Sequence, residues 1–579
     1  MENHLNATDI VQRWLQDFNK VVSTNDISAF AALFLEDGWL RDNLIFTWDH
    51  RSLEGRNAIK EFLSHTDDEV KPNETRLSNA RISDIKLASL YKIIPAITPH
   101  NLVEGTFTFE TPIFLGKGYV QLSARGEGEE KDWKAFTLYV AAAELKGHEE
   151  DGTPIGYYDN HAKTWQEAVA EERRKIEEDP HVIVLWRFHL GCIPVGAGHN
   201  GLNVGARFRQ MRIPTLLIDK SDRVGDVWRD RYPSLTLHTP KTHHTMLYTQ
   251  PPSNWPKFTP RDKVAHMLEQ YAINQELVIW HRSTILPNPV YDPITKRWTV
   301  EVLKDGEKIT LHPYHIVLAV GIFGLRYVPD LPGVDLFHGD HCHAEQFKGA
   351  EYYEGKRVVV VGAAQTSSDI CLDLVLHDAA SVTMVQRSST IVISIDLTNR
   401  GLDAIYPMGV DPNVGDFRSS GMPIGLLKKL AIAGKDARVA EQKSMLDGLE
   451  KAGLKLSEGE EGGGFPVQLY AYGNGVDIGA ADHIINGRIK IKSGEPERFT
   501  KEGLIFKDGS FIEADAVIFA TGYYPVQYSL IPIFGKELGE RICPPWGLDK
   551  EGEMIRNFRP CGHPGAIQIK ARLLGLVKD

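Results

Sequence analysis

Eleven consecutive residues, Val195-Gly196-Ala197-Gly198-His199-Asn200-Gly201-Leu202-Asn203-Val204-Gly205, constrain this chain more than any other stretch. Their Gly-x-Gly-x-x-Gly spacing suits the first βαβ unit of a dinucleotide-binding fold. Gly196 permits the tight turn, Gly198 lets backbone approach a pyrophosphate, and Gly201 lets the helix pack on the strand. The helix then offers its amino end to phosphate. Thr215-Leu216-Leu217-Ile218 reads as the second strand, and Asp219 stands twenty-three positions after Gly196, where an acidic side chain accepts hydrogen bonds from a ribose. Alone, such a loop is weak: a plain glycine-rich turn explains it equally well.

At 579 residues the chain is too long for one core, and three or four domains are expected. A formal charge of -12 argues against nucleic acid or an anionic membrane as partner, since both favour clustered Lys and Arg. Five cysteines, without a Cys-x-x-Cys pair, suit a reducing compartment. No metal-ligand spacing is present and no apolar run reaches the length of a bilayer span, so a soluble, cytoplasmic protein is expected.

Before the glycines, Val11, Trp14, Leu15, Phe18 and Val22 share one helical face, and Ala29, Phe30, Leu33 and Phe34 begin another. Val103 to Glu110 and Trp133 to Leu145 are rich in aromatic and β-branched residues, as half-buried strands are. With Asp37-Gly38-Trp39-Leu40-Arg41-Asp42 and Phe46-Thr47-Trp48-Asp49, this α+β pattern resembles the cone-shaped, nuclear-transport-factor-like or SnoaL-like fold. Asp37, Asp42 and Asp49 are read as a solvated rim in preference to a pocket lining. Trp165 to Lys175, its opposite charges three and four apart, reads as an exposed connecting helix. Trp186 to Pro194 is awkward, because Pro194 cannot donate in a central strand. Either His181 to Leu185 is the strand and a loop intervenes, or Cys192 to Val195 is a short, poor one.

Beyond Asp219, Gly225 and Trp228 form a Gly-x-x-Trp, followed by Tyr232-x-x-Leu235 and by Leu237-His238-Thr239-Pro240-Lys241. Phe337, Gly339, His343 and Phe347 then make a Phe-x-Gly-x-x-x-His-x-x-x-Phe pattern. Together these resemble the class B flavin-containing monooxygenases, in particular the YUCCA-like and fungal branch. Phe347-Lys348 stands where Baeyer-Villiger enzymes show Trp-Pro. A metal site from His338, His341 and His343 lacks a suitably spaced fourth ligand.

Arg357 to Asp369 begins a second βαβ unit, whose unbroken valines suit a strand buried on both faces. Gly362 and Asp369 match the resembled family's pattern, whereas Ala364, Gln365 and Thr366 are substitutions. Arg387 with Ser388 and Ser389, after the unit's second strand, suits a 2′-phosphate and favours NADPH over NADH. Val317 to Gly321 and Ala514 to Tyr523, with Thr521 and Gly522, resemble the strands that close over the flavin. Residues 391–497 carry no catalytic motif.

The fold class expected is therefore α/β, with two dinucleotide-binding (Rossmann-like) domains, the NADPH domain inserted in the FAD domain, preceded by an α+β cone. The boundaries expected are 1–150, 151–180 for the connector, 181–350, 351–500 and 501–579. The resemblance implies FAD and NADPH as cofactors, Gly196, Gly198, Gly201, Asp219, Gly225, Trp228, Gly362, Gln365, Thr366, Arg387, Ser388, Thr521 and Gly522 as their contacts, and His238 as the catalytic residue. It implies transfer of one oxygen of O2, through a C4a-hydroperoxyflavin, to a small nitrogen- or sulfur-containing substrate. Oxidative decarboxylation of a 2-oxo acid such as indole-3-pyruvate is the alternative. A different class of reading takes Pro194, Ala364 and a short carboxyl end as signs of a degenerate flavoprotein that binds or dimerises through its amino-terminal domain.

Overall fold

The computed structural model describes residues 7–65, 74–91, 102–125, 132–151, 156, 158–185, 198–321, 323–459, 462–464, 475–542, 547–555 and 563–576. Helix Ala7–Thr24 buries Val11, Trp14, Leu15, Phe18 and Val22, as their spacing predicts. Asp26 caps the next helix, Ile27–Ala32, by accepting from the Ala29 amide. Six strands follow, β1 (Phe34–Asn43), β2 (His50–Glu54), β3 (Ser83–Tyr91), β4 (Leu102–Glu110), β5 (Phe114–Arg125) and β6 (Asp132–Leu145), ordered β2-β1-β6-β5-β4-β3. β1 runs parallel to β6 and the other neighbours are antiparallel.

Strand alternation gives this sheet two different faces. Phe107, Val120, Leu122, Leu138 and Val140 pack on the helices. On the other face stand Glu104, Tyr119, Gln121, Thr137 and Tyr139, and these are buried too. They are covered from far along the chain: the Phe417 ring lies 6.4 Å from that of Tyr119 and 5.3 Å from that of Tyr139, and Leu426 and Leu430 pack with Trp39, Leu102 and Phe136. Burial there demands pairing, and Glu104 accepts from Arg418 at 2.5 Å. The solvated rim expected of three carboxylates holds for Asp37 and Asp49, which are exposed, and fails for Asp42. Asp42 is wholly buried because its carboxylate accepts from the amides of Ile45, Phe46 and Thr47, tying the turn after β1.

Helix Trp165–Glu178 carries the expected charge pairs, such as Arg173 with Glu177, on a helix with no buried residue. Next comes a four-stranded parallel sheet ordered Ile279–Trp280, Thr215–Ile218, Val182–Leu185, His315–Leu318. The central strand is thus the one at His181 to Leu185. Cys192 to Val195, the passage Trp186 to Pro194 and Gly196 lie outside the described residues.

A second parallel sheet is ordered Asp340–His343, Ala516–Phe519, Arg357–Val361, Ser381–Gln386, Ile489–Ser493. Two of its strands lie in segments expected to belong to the first unit. Asp340–His343 and Ala516–Phe519 join the second sheet because Ala516 to Phe519 sits in register with Val358 to Val361 on one side and with Asp340 to His343 on the other. The chain crosses between units through the paired strands Phe323–Arg326 and Tyr523–Pro525. The last helix, His563–Leu573, buries Ile567 and Ala571 in the core shared by the six-stranded sheet and helix His199–Gln210. No helix among the described residues is long and apolar enough to cross a membrane.

Candidate functional site

The first group of residues forms at the start of helix His199–Gln210. Gly198 is its N-cap in an extended conformation and provides no side-chain cap, so the first-turn amides keep their capacity for an anion. Gly201 is buried one turn in. The indole of Trp228 packs edge-on against the His199 ring at 5.8 Å, bringing the Gly-x-x-Trp segment to the helix start. Gly225 takes a left-handed φ of 91° and caps the short helix Asp226–Arg229 that presents this indole. Loss of solvation pushes His199 down to about 4, and also lowers His244, so both rings are neutral near pH 7. Asp219 ends the second strand fully buried, its Oδ1 accepting from the Ser221 amide at 2.9 Å.

The second group forms at helix Gln365–Leu376. Its N-cap, Ala364, again has no capping side chain. Gly362 is required by close approach: a Cβ there would lie 2.3 Å from the Ala520 carbonyl oxygen, and φ is +131°. Gln365 is engaged within the protein, its Nε2 donating to Asp369 at 2.9 Å and its Oε1 accepting from the Val476 amide at 2.6 Å. Thr366 is half-buried beside it, while Arg387 and Ser388 are exposed just past Ser381–Gln386. Gln386 itself, which no motif singled out, is buried and bonds both backbone groups of Lys455, fixing the strand end from which Arg387 projects.

His238 lies on the strand Thr236–Pro240, against the helix of the second group. Its Nε2 stands 3.5 Å from Asp369 Oδ2, an oxygen that also accepts from the Tyr232 hydroxyl at 2.8 Å. Burial, then the Asp369 charge, push the Tyr232 hydroxyl well above the ordinary tyrosine range, so it remains a donor. Tyr232, His238 and Asp369 together line a cavity of about 130 Å³. Tyr232 was visible as the Tyr of Tyr-x-x-Leu and Asp369 as a helix carboxylate, but nothing in their spacing joins residues 137 positions apart.

The Phe-Gly-His pattern has a mechanical part. His343 donates through Nε2 to the Gly522 carbonyl, 3.0 Å away, which leaves Nδ1 to accept from the Glu345 amide at 3.2 Å. Burial lowers His343 to about 4, so this neutral tautomer persists. The same Gly522 carbonyl accepts from the Tyr327 amide, and the Thr521 hydroxyl donates to the Tyr327 carbonyl. Thr521 and Gly522 therefore fasten the crossover between the units. Among the described residues no group of His, Cys, Asp and Glu is arranged to hold a metal ion.

Two helix starts, each without a side chain that would compete for its first-turn amides, fit two phosphate-bearing cofactors. Residues 193–399 match the family model described as pyridine nucleotide-disulphide oxidoreductase. The chain is 30% identical over 364 residues to an indole-3-pyruvate monooxygenase, YUCCA8, of Oryza sativa subsp. indica, covering 60% of this chain and 79% of that protein. It is 29% identical over 364 residues to the probable indole-3-pyruvate monooxygenase YUCCA7 of Arabidopsis thaliana, covering 60% and 77%. Among solved structures, an oxidized steroid monooxygenase bound to NADP matches with a TM-score of 0.45 and 18% identity, covering 61% of this chain and 73% of that one.

Proposed function

The chain belongs to the flavin-dependent monooxygenases and is an FAD- and NADPH-using enzyme, and we propose that it transfers one oxygen atom of O2 to a small nitrogen- or sulfur-containing nucleophile. FAD, when bound, supplies the redox chemistry. The residues of this chain bind, orient and exclude water. The helix start at Gly198 takes one pyrophosphate and that at Ala364 the other, while Arg387 and Ser388 hold the 2′-phosphate that distinguishes NADPH. The helices laid on the six-stranded sheet support reading the amino-terminal unit as a SnoaL-like module.

The observation that carries this reading is the contact of His238 with Asp369, which joins the strand Thr236–Pro240 to the helix of the second unit. Asp369, held by the Tyr232 hydroxyl, stands beside the His238 ring, and in this reading the ring's other nitrogen holds a hydrogen bond at the reacting oxygen. The test is His238→Ala in FAD-loaded protein, comparing product formed with NADPH consumed. NADPH oxidation should continue while product per NADPH falls by about tenfold or more. An unchanged ratio removes His238 from this part.

A second reading is favoured by the names of the relatives: a 2-oxo acid is decarboxylated oxidatively. Trapping of released CO2 separates the two, because oxygenation of an amine or thioether releases none.

A further inference from the structure

Gln386 ends the strand Ser381–Gln386 in register with Ser493, and it is wholly buried. A buried amide needs both a donor and an acceptor as partners, and here one residue supplies the two. Gln386 Nε2 donates to the Lys455 carbonyl at 2.9 Å and its Oε1 accepts from the Lys455 amide at 2.7 Å, a paired contact that fixes distance and orientation together. The Lys455 carbonyl accepts a second time, from the Thr390 amide at 3.1 Å, and the Thr390 carbonyl accepts from the Ser457 amide at 2.8 Å. Arg387, Ser388 and Ser389 are thus a short loop hung at both ends on the backbone of Lys455, 69 positions beyond Gln386. All three are exposed. Among the described residues Arg387 forms no ion pair, and the carboxylate that feels its charge, Glu495, is bonded to Lys507 at 2.8 Å.

We infer that Gln386 is a positioning residue for the 2′-phosphate of the nucleotide, acting through Arg387 and Ser388 and not by touching the phosphate itself. This rests on the reading of Arg387 and Ser388 as the groups that hold that phosphate. A loop free at one end loses conformational entropy when it closes on an anion, and the clamp removes that cost before binding. It also keeps a guanidinium and a hydroxyl together at the strand end, as charge-assisted bonds to the oxygens of one phosphate require. Only a ligand that carries the phosphate gains from this, so the clamp favours NADPH over NADH without contacting either. Residues 391–497, which carry no catalytic motif, thereby take part in the choice of cofactor through the backbone of Lys455, just past helix Lys443–Lys451.

The test is calorimetric titration of the FAD-loaded full chain with adenosine 2′,5′-bisphosphate and, separately, with adenosine 5′-phosphate, which differ only in the 2′-phosphate. Wild type should bind the bisphosphate at least about tenfold more tightly. Gln386→Met, close in shape and unable to bond Lys455, should lower that ratio to about threefold or less, with affinity for adenosine 5′-phosphate changed by less than about twofold. Because Gln386 acts through Arg387, the double variant with Arg387→Ala should lose less binding free energy than the sum of the two single losses. Hydrogen exchange of the wild type depends on no variant folding: the Lys455 amide should exchange more slowly with the bisphosphate bound and be unaffected by adenosine 5′-phosphate, since binding and clamp reinforce each other. A ratio unchanged in Gln386→Met, equal loss for both nucleotides, additive losses in the double variant, or Lys455 protection indifferent to the 2′-phosphate would each overturn the proposal. Arg387→Ala alone tells the two readings apart. If it leaves the ratio unchanged, the 2′-phosphate assignment itself fails, whereas a collapsed ratio beside an unaffected Gln386→Met rejects only the clamp.

Discussion

Arg41 on β1 clasps Glu553, 512 positions along the chain, through two parallel hydrogen bonds, Nε to Oε1 at 2.7 Å and Nη2 to Oε2 at 2.8 Å. The Ser52 hydroxyl donates to the same Oε1 at 2.6 Å, and Glu553 is 1% exposed. The neighbouring pair Arg51 with Glu551 repeats the arrangement nearer the surface. With Arg418 on Glu104 and Phe417 between two tyrosines, these contacts make the amino-terminal sheet part of the body of the enzyme. An independent binding module would instead present that face to solvent.

Glu553→Ala should destabilise the protein by about 3–5 kcal/mol, because it strands the Arg41 guanidinium in a buried place. Urea unfolding measures it. Burial alone would raise Glu553, but the Arg41 charge and the bonds from Arg41 and Ser52 outweigh it and hold the carboxyl below its ordinary value. Its stabilisation is therefore complete above the ordinary glutamate value of about 4.3 and is lost as pH falls through the depressed one. A wild type that loses no more stability than Glu553→Ala between pH 5 and pH 3 contradicts this.

Asp42 should act with the opposite sign. Burial raises it to about 7 despite the amides of Phe46, Ile45 and Thr47, so the folded protein binds a proton there that the unfolded chain has released. Stability from this group is then full below the unfolded value of about 3.9 and declines as pH rises towards the folded value. Asp42→Asn abolishes that slope, and it costs about 1–3 kcal/mol by placing an amide N–H against backbone N–H groups. Unfolding midpoints of both proteins at pH 5, 6.5 and 8 report the two effects separately.

Arg387→Ala should raise the KM for NADPH by about tenfold and leave that for NADH nearly unchanged, since only NADPH carries the phosphate that a guanidinium holds. Initial-rate kinetics with each nucleotide decide it. Equal effects on both would assign Arg387 to the shared part of the cofactor.

Gly339→Ala should lower stability by about 1–3 kcal/mol, because a Cβ there would lie 2.3 Å from the Asp515 carbonyl oxygen where Asp340–His343 meets Ala516–Phe519. The His343 bond to Gly522 depends on that pairing, so flavin retention should fall as well. Melting temperature and bound-FAD absorbance measure the two. An alanine variant as stable as wild type would show that the strands part to admit the methyl.

Local patterns determined a good deal. The stripe from Val11 to Val22, the valines of Arg357–Val361 and the glycines ahead of each nucleotide helix state their elements directly, because amphipathic period, two-sided burial and backbone access are properties of neighbouring residues. The candidate site was legible to the same extent: Gly198, Trp228, Gly362 and Arg387 lie on the elements their motifs implied. Tertiary structure decided what depends on pairing across distance. It put Ala516–Phe519 and Asp340–His343 in the second sheet, turned Asp42 inward, engaged Gln365 with Asp369 and Val476, and set Asp369 against His238. A strand's hydrophobic pattern says that it is buried and not beside which strand, and a carboxylate's charge says that it needs partners and not which ones. Those choices are made only when segments hundreds of residues apart compete for the same buried surface.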